Sequence, residues 1–275
     1  MQLAKHHPSK IYLAARSKEK ADESLARIKT VVPDATVDFL PLDLTSLKSV
    51  AKAAQTVNAT TNRLDILINN AGIMATPAGT TEDGYEIQFG TNHMGHALLT
   101  KLLLPKLQET AKNPESDVRI VTLSSRGHEW TPNGGLNLET VKSEQTSISS
   151  FARYGQSKLA NILYSRELAR RYPGIKCISL HPGSVNTGLR RGMAASHPWL
   201  TRPMDFLAKF VTVTVQDGTL NQLWAATSVD AKSGSYYNPV GKESKGSGHA
   251  QDDKLAGKLW EWTEKELEKW PVGAA

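Results

Sequence analysis

The chain has 275 residues, a formal net charge of +6, a sequence pI near 9.3 and one cysteine, Cys177. A single cysteine excludes an intrachain disulfide framework, and no uninterrupted apolar stretch is long enough to span a bilayer. The basic residues are interspersed with acids and form no aromatic-studded stripe, which argues against nucleic acid as a partner.

Hydrophobic runs alternate with amphipathic stretches from the start, the βαβ rhythm of a parallel sheet. Met1 to His7 has the look of the second half of a helix. Ile11 to Ala15 is the first expected strand, followed by a charged helix from Lys18 to about Val32. Val37 to Leu42, Leu64 to Asn69, Val118 to Leu123 and Ile175 to His181 are further strands, short and rich in branched residues. Ser46 to Val57, Tyr85 to Leu107 and Phe151 to Arg171 are expected helices between them. The tail, residues 252–270, sets Leu255, Leu259, Trp260, Trp262 and Leu267 at helical intervals, an amphipathic helix suited to docking on the body or on a second subunit. Its glutamates would repel anionic lipid, so membrane-surface binding is the weaker reading. The length can bury roughly three quarters of the unfolded surface, enough for residues 1–275 as one α/β domain.

The residues at strand ends carry the chemistry, because open α/β sheets bind ligands outside the carboxyl ends of their strands. Tyr154 and Lys158 stand one helical turn apart, where the lysine cation can lower the phenol pKa from its usual value of about 10. Ser124 and Ser125 end the strand one helix upstream. A proton donor, an oriented hydroxyl and a fixed cation are the groups that stabilise an alkoxide formed when hydride reaches a carbonyl carbon. Each has a plainer reading: Ser125 can be a strand-end serine bonding its own backbone, Asn92 a helix-interior amide tying two segments together, and Asn70 to Gly72 an ordinary turn.

Taken together, Ala14-Ala15-Arg16-Ser17, Leu42-Asp43-Leu44, Asn69-Asn70-Ala71-Gly72, Thr91-Asn92-His93, Leu123-Ser124-Ser125, Tyr154 with Lys158, and His181-Pro182-Gly183-Ser184-Val185-Asn186-Thr187 resemble the short-chain dehydrogenase/reductase family, in its order and spacing and as far as about residue 240. The wording is most similar to the branch of retinol-dehydrogenase-like and WW-domain-oxidoreductase-like enzymes, many of which act on lipophilic alcohols, aldehydes or secondary metabolites. The resemblance implies a Rossmann-like doubly wound parallel sheet. It makes Tyr154 the general acid/base, Lys158 the group that holds the tyrosine partly ionised and bonds the nicotinamide ribose, Ser125 the holder of the substrate oxygen and Asn92 the seat of a relay water. Ser124 is the less favoured serine. Arg16, Asp43, Asn70, Ala71, Gly72, Val185 and Thr187 join Tyr154 and Lys158 as expected cofactor contacts.

Arg16 decides the cofactor. An acidic residue at this place binds a ribose 2′-hydroxyl, whereas an arginine accommodates a 2′-phosphate, so NADP(H) is expected over NAD(H). The departure from the family lies ahead of Arg16, where a glycine-rich pyrophosphate turn should lie about 20 residues upstream. Arg16 leaves no room for it, so the chain is expected to be N-terminally truncated, lacking the first strand and the glycine loop, with any targeting segment upstream of Met1. Gly241-Lys242-Glu243 resembles part of a phosphate loop but lacks its other positions, and is expected to be a solvated loop.

The expected activity is therefore NADP(H)-dependent interconversion of a carbonyl and an alcohol on a small hydrophobic substrate, in the cytoplasm. A lid over about residues 188–210, with Leu189, Met193, Trp199, Leu200, Met204 and Phe206, supplies one apolar wall, and Trp130 with His128 the other. A homodimer or homotetramer through the two long helices is common in the family. The rival readings are a binding or regulatory protein that lost its nucleotide loop, and a related epimerase or dehydratase. The pairs His6/His7 and His93/His96 lack the carboxylates or cysteines that would complete a metal site, and no Gly-x-Ser-x-Gly elbow supports a hydrolase.

Overall fold

The computed structural model describes residues 1–183 and 215–272. The expected lid, Val185 and Thr187 lie outside the described residues. A 3-10 turn at Leu3–His6 replaces the expected helix end, and its buried Ala4 packs against Ile28 and Val32.

Strand β1 (Ile11–Ala15) leads through Ser17 into helix α1 (Lys18–Val31), the serine hydroxyl accepting from the Lys20 N–H as an N-cap. Strand β2 (Val37–Pro41) pairs with β1 in parallel, Ile11 opposite Val37, and helix α2 (Leu47–Thr60) follows with Ser46 as its cap. The rest of the sheet is a separate ladder. Here β3 (Ile66–Asn69), β4 (Arg119–Leu123), β5 (Lys176–Leu180) and β6 (Tyr236–Tyr237) run parallel, and β7 (Glu243–Ser244) closes the edge antiparallel to β6. Gly241, at φ +66°, turns that hairpin, so Gly241 and Lys242 form the exposed loop expected of them, while Glu243, also exposed, opens β7. Among the described residues no ladder joins β1 to β3.

The helix expected over Tyr85 to Leu107 is one rod of three pitches: α3 (Ile87–Phe89), a π-helical turn (Gly90–Met94) and α4 (Gly95–Ala111). A π turn inside an α-helix often marks a functional site. Glu86 opens the rod, its carboxylate capping the Gln88 and Phe89 N–H groups at 3.0 and 2.7 Å. Helix α5 (Ser150–Arg171) packs beside it, and every residue from Arg153 to Ser165 is buried. Helix α6 (Val215–Thr227) covers the opposite face, where Val121, Leu123, Ile178 and Leu180 pack with Ala225 and Tyr237. Neither α6 nor the β6–β7 hairpin stood out in the sequence.

The tail forms helix α7 (Asp253–Glu266), which docks on the body of its own chain. Trp260 stacks on Tyr164 at 5.0 Å, with the Arg171 guanidinium 4.6 Å over its ring. Trp262 meets Tyr85 and Phe89 edge to face, Lys101 pairs with Glu264 at 2.9 Å, and Tyr85 donates to Glu266 at 2.8 Å. The tail therefore packs on part of the long helices through which a second subunit was expected to bind, leaving Pro105, Gln108 and Glu109 exposed. Among the described residues no helix is long and apolar enough to cross a membrane.

Candidate active site

Strand β4 delivers Ser124 and Ser125 to the C-terminal edge of the sheet, and the two are used differently. Ser124 is buried and donates to the Lys158 carbonyl at 2.7 Å, fastening β4 to α5. Ser125 caps a 3-10 turn (Arg126–Glu129), its Oγ accepting from the Gly127 N–H at 3.0 Å while its own hydrogen stays available to donate.

Tyr154 and Lys158 sit on the first turns of α5, only 3% and 5% exposed. The Lys158 Nζ lies 5.8 Å from the centre of the Tyr154 ring and donates to the Leu123 carbonyl at 3.1 Å. Burial governs both groups. It pushes the Tyr154 phenol up to about 12, opposed only by the neighbouring Ser125 hydroxyl, and pulls the Lys158 ammonium down to about 8. The expected lowering of the phenol by the lysine is not seen: burial sets the direction, and the Ser125 hydroxyl alone opposes it. An ammonium carries three donors, and Lys158 spends one on a carbonyl.

Asn92 lies in the π turn and is fully buried. Its Oδ1 accepts from the Ile73 N–H at 2.8 Å, and its Nδ2 donates to the Ile73 carbonyl and the Ser157 Oγ, both at 2.9 Å. Both amide hydrogens are used and the oxygen keeps one lone pair, so the side chain ties the Ile73 segment to α5. Its main-chain carbonyl faces the His96 Nδ1 at 3.1 Å. His93 is also spoken for, with its Nε2 3.2 Å from the Thr263 Oγ1 of α7.

That staple fixes the loop after β3. Asn70 and Ala71 are exposed, and a Cβ added at Gly72 would stand 2.9 Å from the Asn92 Oδ1 and 3.4 Å from the Lys158 Nζ. Only glycine leaves the ammonium approachable from this side. Arg16 is exposed at the end of β1 and forms no ion pair among the described residues. Asp43, half-buried after β2, holds Thr45 through one oxygen, accepting from its N–H at 2.9 Å and its hydroxyl at 2.8 Å. The chemistry suits the ribose of a nicotinamide dinucleotide where Lys158 has donors to spare beside the Gly72 backbone. A glycine-rich seat for its pyrophosphate is not found among the described residues.

The wall expected from Trp130 and His128 divides. Trp130 is 50% exposed, edge to face with Phe151 at 5.7 Å and 6.5 Å from the Tyr154 ring, so it faces the site. His128 is turned inward, 1% exposed with both ring nitrogens engaged. Sequence reasoning missed Arg153, the neighbour of Tyr154. Its Nε lies 3.1 Å from the Glu86 Oε1 in a bent ion pair, and its guanidinium donates to the Thr76 and Ile148 carbonyls, both at 3.1 Å. A charged residue in the first turn of a helix gives no local sign that it is buried.

A parallel α/β sheet with a buried tyrosine and lysine and a half-buried serine gathered at its strand ends is the architecture of a nicotinamide-type oxidoreductase. The short chain dehydrogenase model matches residues 2–134. The chain is 36% identical over 292 residues to the short-chain dehydrogenase/reductase drtF of Aspergillus calidoustus, covering 98% of this chain and 88% of that protein. It is 38% identical over 271 residues to retinol dehydrogenase 14 of Mus musculus, covering 93% and 78%. A solved protein of uncharacterized function from Mycobacterium paratuberculosis superposes with a TM-score of 0.68 at 30% identity, covering 94% and 83%. The chain belongs to the short-chain dehydrogenase/reductase family of oxidoreductases.

Proposed function

We propose that the protein interconverts a carbonyl and an alcohol on a small hydrophobic substrate using NADP(H), with Tyr154 as general acid/base. The observation that carries this reading is the convergence of a buried phenol, a second hydroxyl and a buried ammonium at the end of β4. A bound nicotinamide supplies the hydride in reduction and takes it in oxidation. Tyr154 donates its phenolic proton to the oxygen that becomes the alcohol, and Ser125 donates a hydrogen bond to the same oxygen. Lys158 stabilises the phenolate left behind and offers its remaining donors to the nucleotide ribose. Burial strengthens each of these interactions, because fixed charges act at low dielectric. Arg16 supports the phosphorylated cofactor as a planar donor with no carboxylate beside it in sequence until Glu19. The half-exposed Trp130 supports an apolar substrate. The retinol dehydrogenase relative is consistent with a lipophilic one.

The test is Tyr154→Phe. Turnover of an active carbonyl with NADPH is expected to fall about 10²- to 10⁴-fold, the usual contribution of a positioned acid, while NADPH affinity stays near wild type. Unchanged turnover would remove Tyr154 from the mechanism.

A further inference from the structure

We propose that His128 is a positioning residue for Ser125, a neutral imidazole that bridges the Ser125 carbonyl to the Ser247 amide. This rests on the oxidoreductase reading above. The His128 Nδ1 lies 2.6 Å from the Ser125 carbonyl oxygen, and its Nε2 lies 3.0 Å from the Ser247 nitrogen. A peptide N–H can only donate, so Nε2 carries the lone pair and Nδ1 carries the hydrogen, which it donates to Ser125. A protonated ring would set a donor against the Ser247 N–H. Burial of the ring favours the neutral form, in agreement with that assignment.

Ser125 is thereby held twice. Its Oγ accepts from the Gly127 N–H, and its carbonyl accepts from both the ring and the backbone N–H of His128, the latter at 3.0 Å. The far end of the bridge is equally anchored. Gly246 has φ +69°, and a Cβ there would stand 3.0 Å from the His128 Nε2, so this turn approaches the ring only as glycine. Ser247 accepts from the Ala250 N–H through its hydroxyl, and the Ala250 carbonyl accepts from Arg166 of α5. Tyr236 packs against the ring at 5.2 Å, edge to face. The imidazole thus ties the loop that aims the Ser125 hydroxyl to the segment leading into α7.

Three variants separate the two bonds. His128→Asn keeps a donor near Nδ1 and loses the Nε2 acceptor, His128→Gln keeps an acceptor near Nε2 and loses the donor, and His128→Phe keeps a ring and loses both. Each is assayed in the full chain with NADPH and a panel of aromatic and aliphatic aldehydes. Hydrogen exchange is followed in the segments 125–130 and 244–250. We expect kcat to fall about 10- to 100-fold in the Gln and Phe variants and less in Asn, the range seen when a supporting partner of a functional group is lost. NADPH affinity is expected to be unchanged, and exchange is expected to quicken in both segments together in the Phe variant. Wild-type kcat in His128→Phe, or exchange that quickens in one segment alone, would overturn the role of His128. A wild-type chain that neither binds NADPH nor reduces any of the aldehydes would overturn the oxidoreductase reading itself, a result distinguishable from the first.

Discussion

Single residues in this site are governed by desolvation more than by pairing. His93 and His96 are held neutral, their pKa values pulled down to about 3 and about 4 by burial. The unfolded chain binds protons at these positions below the ordinary histidine value of about 6.5, and the folded chain does not. Stability contributed this way is complete above that value and is lost as the pH falls from about 6.5 toward 4, by up to roughly 1.4 kcal/mol per pH unit for each histidine. The melting temperature, followed from pH 7 to 4.5, should therefore fall, and the fall should be shallower in His96→Asn. A flat profile over that window would mean that neither ring is buried. The Glu86–Arg153 pair is a second desolvated device, uniting the start of the long rod, the loop at Thr76 and the helix that carries Tyr154. Arg153→Met leaves the Glu86 carboxylate buried without its cation, and urea unfolding should report a loss of about 3–5 kcal/mol. A loss below 1 kcal/mol would show that water reaches Glu86.

At the scale of elements, the helix α7 joins the tail to the π turn. His93 of that turn touches Thr263, and Phe89 just before it touches Trp262. Trp260 is a buried apolar anchor of the contact, stacked on Tyr164 with Arg171 over its ring. Trp260→Ala should lower the unfolding free energy by about 3–5 kcal/mol with an unchanged denaturant slope. A loss near zero would mean that α7 is detached in solution. The regular elements were legible because their signals are local. Amphipathic patterning announced α1 from Lys18 and α2 over Ser46 to Val57, and short runs rich in branched residues announced β1 to β5 within one or two residues. What stayed hidden depends on partners far away in sequence. The π turn shows no local break in pattern, α6 has little amphipathic contrast, and a two-residue strand such as Tyr236–Tyr237 exists only because β5 lies beside it.

Across the whole molecule, the site was legible as a set of residue types and not as an arrangement. Tyr154, Lys158, Ser125, Gly72 and Asn92 do come together, with Asn92 also bonded to Ile73 and Ser157, whereas His128 turns inward, because hydrogen-bond partners depend on neighbours that spacing does not reveal. The sheet's two ladders also bear on function. The residues expected at the adenosine end, Arg16 and Asp43, follow β1 and β2, and those at the nicotinamide end follow β3 and β4. A nucleotide held by Arg16 and Lys158 together must touch both. The most direct measurement is a fluorescence titration of the 275-residue chain with NADPH and with NADH. If Arg16 reads a 2′-phosphate while Lys158 holds the ribose, NADPH binds at micromolar levels and about tenfold or more tighter than NADH. If neither nucleotide binds at millimolar concentration, this chain has no working nucleotide site, and the reading as a binding or regulatory protein takes its place.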